Sequence, residues 1–256
     1  MFFNRKQLKL FKGVRERVWY QQERLRTPYR RQYYKVLNIY FKEFANKIEI
    51  AYQTRSQIML DMELRKQADK LKLILTRLYR TVGYAFKDYA LGRFFSKDFD
   101  DDFEEQLAAF VTLNTGIWVA EIDETTRKRI AKVIDNSYAN GLSIDETGVA
   151  LRNTVIGMGV YRSNLIARTE VHRVAGFANE TVAENMKIDN TVKEWVSIQD
   201  ERTRITHAYA AGQRVDLDQP FIVGGERLKY PGDPMGSAAE TINCRCAAIY
   251  ITPDFL

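Results

Sequence analysis

From residue 29 to residue 89 the chain has no proline, and its apolar residues recur at intervals of three and four. Tyr33, Val36, Leu37, Tyr40, Phe44 and Ile48 mark the first stretch, residues 29–58. Leu64, Ala68, Leu71, Leu75, Leu78, Val82 and Ala85 mark the second, residues 62–89. Such spacing returns side chains to one face of a 3.6-residue helix, whereas a strand needs alternation with period two. Long amphipathic helices with charged outer faces are therefore predicted, and the chain must bury their apolar stripes against one another.

The periodicity continues further along the chain. The segment SKDFDDDFEEQ (96–106) supplies carboxylates that suit a helix N-terminus. The helix that follows is predicted to run to Asn140, with an interruption near Asn114 and Gly116. Asn140-Gly141 is a stop. Ser143-Ile144-Asp145-Glu146 reads as a capping box. Helix is then expected to Gly157, and again over residues 162–186.

After Lys187 the texture changes. Residues 192–198 are strand-like. Residues 200–211 are polar and then weakly helical, up to Gly212. Phe221-Ile222-Val223, Gly224-Gly225 and Arg227-Leu228-Lys229-Tyr230 predict a hairpin on a glycine turn. Residues 242–251 are strand-like again. The fold class expected is α+β, in three parts: a basic aromatic arm (1–28) closed by Pro28, a helical body (29–186) and a small antiparallel α+β module (187–256).

Charge is distributed unevenly. The chain nets +6, yet residues 1–35 hold eleven Lys or Arg against Glu16 and Glu23, so the remainder is slightly acidic. Arg5, Lys6, Lys9, Lys12, Arg15, Arg17, Arg24 and Arg26 make the arm a candidate contact for a polyanion such as double-stranded DNA, or equally for an acidic protein surface. The arm is expected to stay mobile or extended until it meets that partner. The same cations interrupt any signal-peptide core, and no apolar run reaches the ~18 residues that span a bilayer. Use in the cytosol, without a membrane, is the expectation.

With 45% hydrophobic and 28% charged residues, the chain can bury a core and is not disordered by composition. Its two cysteines, Cys244 and Cys246, are too close in sequence to staple a fold. On a strand, both sulfurs would face one side and Arg245 the other. His207 is a third potential ligand, with Asp200 or Asp233 as a fourth, so a structural zinc ion is one reading and a pair of buried core thiols the other. Asp200 and His207 can in principle do acid–base work, but no nucleophile, HExxH, phosphate loop or GxSxG accompanies them. A polar network that holds the module is the reading preferred. Glu170 and Arg173 at i, i+3 predict a surface or interdomain salt bridge. Gly157-x-Gly159 predicts a helix break.

Three blocks carry a family resemblance. The first is Leu165-Ile166-Ala167-Arg168-Thr169-Glu170, followed by Arg173 and Asn179. The second is Lys193-x-Trp195, followed by Asp200-Glu201-Arg202-Thr203-Arg204-x-x-His207. The third is Tyr230-Pro231-Gly232-Asp233, followed by Ile242-Asn243-Cys244-Arg245-Cys246. In order and spacing they resemble the Mu F-like family of phage head-morphogenesis proteins. The resemblance implies a minor head protein, not an enzyme. It would be assembled in the host cytoplasm into the virion, at the portal vertex or head interior. Portal or capsid proteins would be its partners, and in some members packaged DNA and its delivery are touched. It also implies that Arg168, Glu170, Trp195, Asp200, Arg202 and Arg204 are structural motif residues. The alternative is a metal-dependent nuclease or other hydrolase built on Asp200, His207 and the cysteines.

Overall fold

The computed structural model describes residues 5–93 and 102–253, with side chains from Gly13 onward. Four long helices come first: α1 (Arg5–Gln53), α2 (Gln57–Leu91), α3 (Phe103–Ala139) and α4 (Ile144–Asn185). Short elements follow: β1 (Val192–Val196), α5 (Ile205–Ala210), β2 (Arg214–Asp216), β3 (Phe221–Val223), β4 (Glu226–Leu228), α6 (Ala238–Thr241) and β5 (Ala247–Ile251). The class is α+β. Among the described residues no helix is long and apolar enough to cross a membrane.

Two compact units divide the chain, and neither is a single run of sequence. A helical unit comprises Arg30–Tyr79 and Ala109–Ala167; a sheet unit comprises Met1–Tyr29, Arg80–Ala108 and Arg168–Leu256. Each long helix thus contributes residues to both. The helical unit buries Leu37, Phe41, Phe44 and Ile48 of α1, with Leu71, Leu75 and Leu78 of α2. These are the positions the three-and-four spacing selects.

Three helix boundaries differ from those read in the sequence. Pro28 lies inside α1 and does not end it. A proline interior to a helix costs about 3 kcal/mol through its missing N–H and its clash with the preceding turn. Packing on both sides offsets this: Val18, Trp19 and Gln22 are buried before it, and Tyr33 and Leu37 after it. Pro28 does fall beside the point, Tyr29, where α1 passes from one unit to the other. The first described part of the basic arm is accordingly helix and not extended chain. Likewise α3 runs unbroken through Asn114 and Gly116, and α4 through Gly157 and Gly159. A Cβ at Gly159 would meet the Cβ of Phe41 at 2.6 Å, so this glycine permits close approach of α4 to α1 within the helical unit. Most of the acidic segment before α3 lies outside the described residues, although Glu104 and Glu105 do occupy its first turn. The capping box forms as expected. The backbone N–H of Ser143 donates to Glu146 at 2.8 Å, and that of Glu146 donates to the Ser143 hydroxyl at 3.3 Å.

In the sheet unit, β1 is the centre of an antiparallel sheet ordered β2-β1-β5, with Lys193 opposite Val215 and Trp195 opposite Ala248. The hairpin β3-β4 turns at Gly224 and Gly225, both with positive φ (60° and 84°), as a two-residue primed turn requires. Period-two alternation sends Ala247, Ile249 and Ile251 to one face, against Val18 and Trp19 of α1. Trp195 and Ala248 face the other core, with Phe221, Val223, Leu228 and both cysteines.

Candidate functional site

The last strand is shorter than its sequence suggests, and the cysteines precede it. Residues 242–246 form an irregular segment between α6 and β5. Asn243 takes a left-handed conformation (φ 58°), which asparagine tolerates better than most residues. Its backbone N–H donates to the Thr169 hydroxyl of α4 at 3.2 Å. Arg204 donates to the carbonyl of Ile242. The helical block and the His207 block of the sequence thereby meet on the cysteine segment.

Helix α1 supports that segment along its length. Trp19, Gln22 and Arg26 lie on one face and donate to the carbonyls of Arg245 (2.8 Å), Ala248 (3.2 Å) and Cys246 (3.4 Å). Arg15 pairs with the buried carboxylate of Glu194, which also accepts from Arg214. Arg15 and Arg26, read as partner contacts, are thus paired within the molecule, Arg15 half-buried and Arg26 at 1% exposure. Arg17 and Arg24 are exposed. The side chains of Arg5, Lys6, Lys9 and Lys12 lie outside the described residues.

The sequence block from Asp200 to Arg204 forms a clasp. Asp200 accepts from the Arg202 backbone N–H and the Thr203 hydroxyl, each at 3.1 Å, and from both terminal nitrogens of Arg245, the Nη1 contact at 2.7 Å. The Arg245 guanidinium holds the Asp200 carboxyl well below the usual carboxylate range. A carboxylate so depressed is a poor general base near neutral pH. Arg202 itself is exposed and meets Asp200 through its backbone. Arg168 is half-buried.

His207, Cys244 and Cys246 converge: their ligand atoms all lie within 4.8 Å of one another, and all three residues are buried. His207 Nδ1 is 3.3 Å from the Cys246 sulfur and 3.8 Å from that of Cys244. Its Nε2 faces Glu240 Oε2 at 3.0 Å, and Thr206 donates to the same oxygen at 2.8 Å. Trp195 packs edge-on against the imidazole. Burial raises the Cys244 thiol pKa, but hydrogen bonding from Cys246, His172 and His207 outweighs it and leaves the group well below the ordinary thiol range. Burial and the neighbouring Cys244 push Cys246 up.

Neither proposed fourth ligand joins them. Asp200 is exposed and bound to Arg245. Asp233 is buried, but its two oxygens accept from the backbone N–H groups of Lys229 (2.7 Å) and Met235 (3.0 Å), which folds the Pro-Gly-Asp loop. That loop sits against α4: a Cβ on Gly176 would meet the Pro231 carbonyl at 2.7 Å, and one on Gly232 (φ 88°) would meet His172 Cδ2 at 2.7 Å.

Sequence reasoning missed three participants. His172 lies beside Cys244 and accepts from Arg26 through Nδ1; the chain has only two histidines, and both come to the cysteines, a signal that was available. Glu240 was unremarkable in sequence. The third is a buried network in which Lys193 donates to Glu180 and, at 2.9 Å, to the Lys229 carbonyl, while Tyr250 donates to Glu180 at 2.8 Å. Burial outweighs Lys193 and Tyr250 and raises the Glu180 carboxyl to about 7. Glu170 and Arg173 do pair, through two contacts of 2.7 Å, but the pair is buried and not at the surface.

A cleft of about 500 Å³ in the sheet unit is bordered by Arg15, Trp19, Trp195, Ser197 and Gly212, and by neither His207 nor the cysteines. Fold and site together define a protein of long helices carrying a small α+β module, sealed by a buried Cys/His cluster. A family model described as Phage Mu protein F like protein matches residues 114–249, more than half of the chain, and the chain belongs to that family. The match begins at Asn114, well upstream of the first motif block. The chain is 35% identical over 134 residues to minor head protein GP7 of Bacillus phage SPP1, covering 50% of this chain and 43% of GP7. It is 36% identical over 88 residues to the NAD(+)--arginine ADP-ribosyltransferase EFV of Enterococcus faecalis, covering 34% of this chain and 18% of that protein. The chain therefore spans less than half the length of these relatives. No solved structure matches it at the same stringency.

Proposed function

We propose that this chain is a minor head protein of a tailed phage, a structural and assembly component of the virion head at the portal vertex or inner capsid surface, and not an enzyme. The family match, extended by the similarity to a named minor head protein over half of the chain, carries the reading. The chemistry of the site agrees with it. Asp200 is locked to Arg245, and His207 and the cysteines are buried and do not border the cleft, whereas a hydrolase would need access for water and substrate. The stretch shared with the transferase is a small part of that protein, so its named activity does not carry over. Exposed Ile39, Ile50, Ile58, Leu73, Tyr138 and Tyr161 on the helical unit suit a chain that docks on other head proteins. Arg17 and Arg24 are the described arm positions from which packaged DNA would be touched.

Quantitative mass spectrometry of purified virions, separated into heads and tails, tests the proposal. The protein is expected in the head fraction. Its absence from heads, with abundance only in the infected-cell lysate, would overturn the reading.

A further inference from the structure

We infer that His207 Nδ1, Cys244 Sγ and Cys246 Sγ are the three protein ligands of a zinc-class divalent cation, with Glu240 as the positioning residue that sets the His207 tautomer. The inference does not depend on the role of the protein in the phage head.

The separations fit first. Zn–S bonds of ~2.3 Å and Zn–N bonds of ~2.0–2.1 Å at tetrahedral angles put ligand atoms roughly 3.5–3.8 Å apart. The observed Nδ1 to sulfur distances are 3.3 and 3.8 Å. Two sulfurs and one imidazole nitrogen are also the donor set that favours zinc over the oxygen-seeking cations.

The carboxylate behind the imidazole is the second observation. Glu240 Oε2 lies 3.0 Å from His207 Nε2, so the ring proton sits there and donates to the carboxylate. The Nδ1 lone pair is then left facing the two sulfurs. A carboxylate behind a metal-binding histidine fixes ring orientation and raises ligand basicity. Thr206 holds that carboxylate in turn, and α5 presents Thr206 and His207 in succession.

His172 takes a different part. An arginine can only donate, so Arg26 against Nδ1 of His172 places that ring's proton on Nε2. A protonated nitrogen has no lone pair for a metal. His172 lies beside Cys244 but is therefore not a ligand. On binding, the cation replaces thiol protons, which pass to solvent.

Cobalt(II) titration of the reduced, metal-free full chain tests this without any variant. One equivalent should bind tetrahedrally, with a sulfur-to-cobalt charge-transfer band that zinc then abolishes. Elemental analysis of protein purified without chelator should find about one zinc per chain. Cys244→Ser and Cys246→Ser should each weaken that band, and His207→Ala should lower affinity. Glu240→Gln should keep the stoichiometry while weakening binding by roughly 10–100-fold, the usual cost of losing an outer-shell partner. Asp233→Asn should leave the spectrum unchanged. Wild-type protein that stays folded, takes up no zinc and shows no charge-transfer band would overturn the inference and leave a packed thiol pair. A band that survives His207→Ala at full affinity would remove His207 from the ligand set.

Discussion

The two units bury different kinds of chemistry. In the helical unit the buried polar residues are all uncharged: Gln67, Asn114, Thr115, Thr126, Ser137, Thr147 and Ser163. Several satisfy themselves locally. Asn114 donates to the Phe110 carbonyl, and the hydroxyls of Thr115, Thr126 and Thr147 donate to carbonyls four residues back. In the sheet unit, Arg26, Glu170, Arg173, Glu180, Lys193, Glu194, Asp233 and Glu240 are buried, and among the described residues every buried charged side chain belongs there. Their partners are often remote in sequence: Arg15 to Glu194, Arg26 to His172, Tyr250 to Glu180. One unit is held by periodic apolar burial, the other by pairings between distant segments. A helical core tolerates apolar exchange of similar volume, whereas a buried charge tolerates little once its partner is gone.

The largest expected effect comes from breaking the polar unit at its centre. Lys193→Ala leaves the buried Glu180 without its cation and should destabilise the sheet unit by about 3–5 kcal/mol. Replacing both partners, as Lys193→Met with Glu180→Leu, should recover most of that, because two desolvated charges disappear together. Denaturant unfolding gives the totals, and native-state hydrogen exchange shows where protection is lost. If the double variant is no better than the single one, the pair is not what holds this unit.

Leu75→Ala probes the other unit. Leu75 is fully buried on α2, and the truncation should cost about 2–5 kcal/mol through lost burial and the cavity left behind. Exchange should rise first in residues 30–79 and 109–167. Equal loss of protection across both units would mean that they unfold as one cooperative block.

A smaller effect is expected at the start of α4. Ser143→Ala removes one half of the capping box and should cost about 1 kcal/mol, with exchange rising mainly in the first turn of α4. No change there would show that tertiary packing alone holds that helix end.

The helices of the first unit were legible because their signal is local. Leu64, Leu71, Leu75 and Leu78 stand at helical spacing in the sequence and are buried in the structure. The capping box and the Gly224-Gly225 hairpin were legible for the same reason, since each depends on a few consecutive residues. The breaks expected at Pro28, Gly116 and Gly157 do not occur, because a proline penalty of about 3 kcal/mol and a glycine penalty of about 1 kcal/mol are smaller than what burial along a long helix supplies. At the candidate site, the sequence supplied His207, Cys244 and Cys246 but the wrong companions. Asp200 and Asp233 look like ligands until Arg245 and two backbone amides are seen to occupy them.

The amino-acid sequence by itself determined the long helices, the change to a small α+β module after Lys187, the hairpin and the family blocks. Each rests on period, turn chemistry or motif order, which neighbouring residues specify. Tertiary structure alone decided that residues 14–19 of the basic N-terminal segment pack as helix on the last strand, that Arg15 and Arg26 are paired within the molecule, and that Glu240 and His172 lie beside the Cys/His cluster. Those outcomes depend on which donor finds which acceptor between segments far apart in the chain, as Arg15 finds Glu194 and Trp19 finds the Arg245 carbonyl. Partner choice of that kind follows from burial and geometry, neither of which a linear pattern carries.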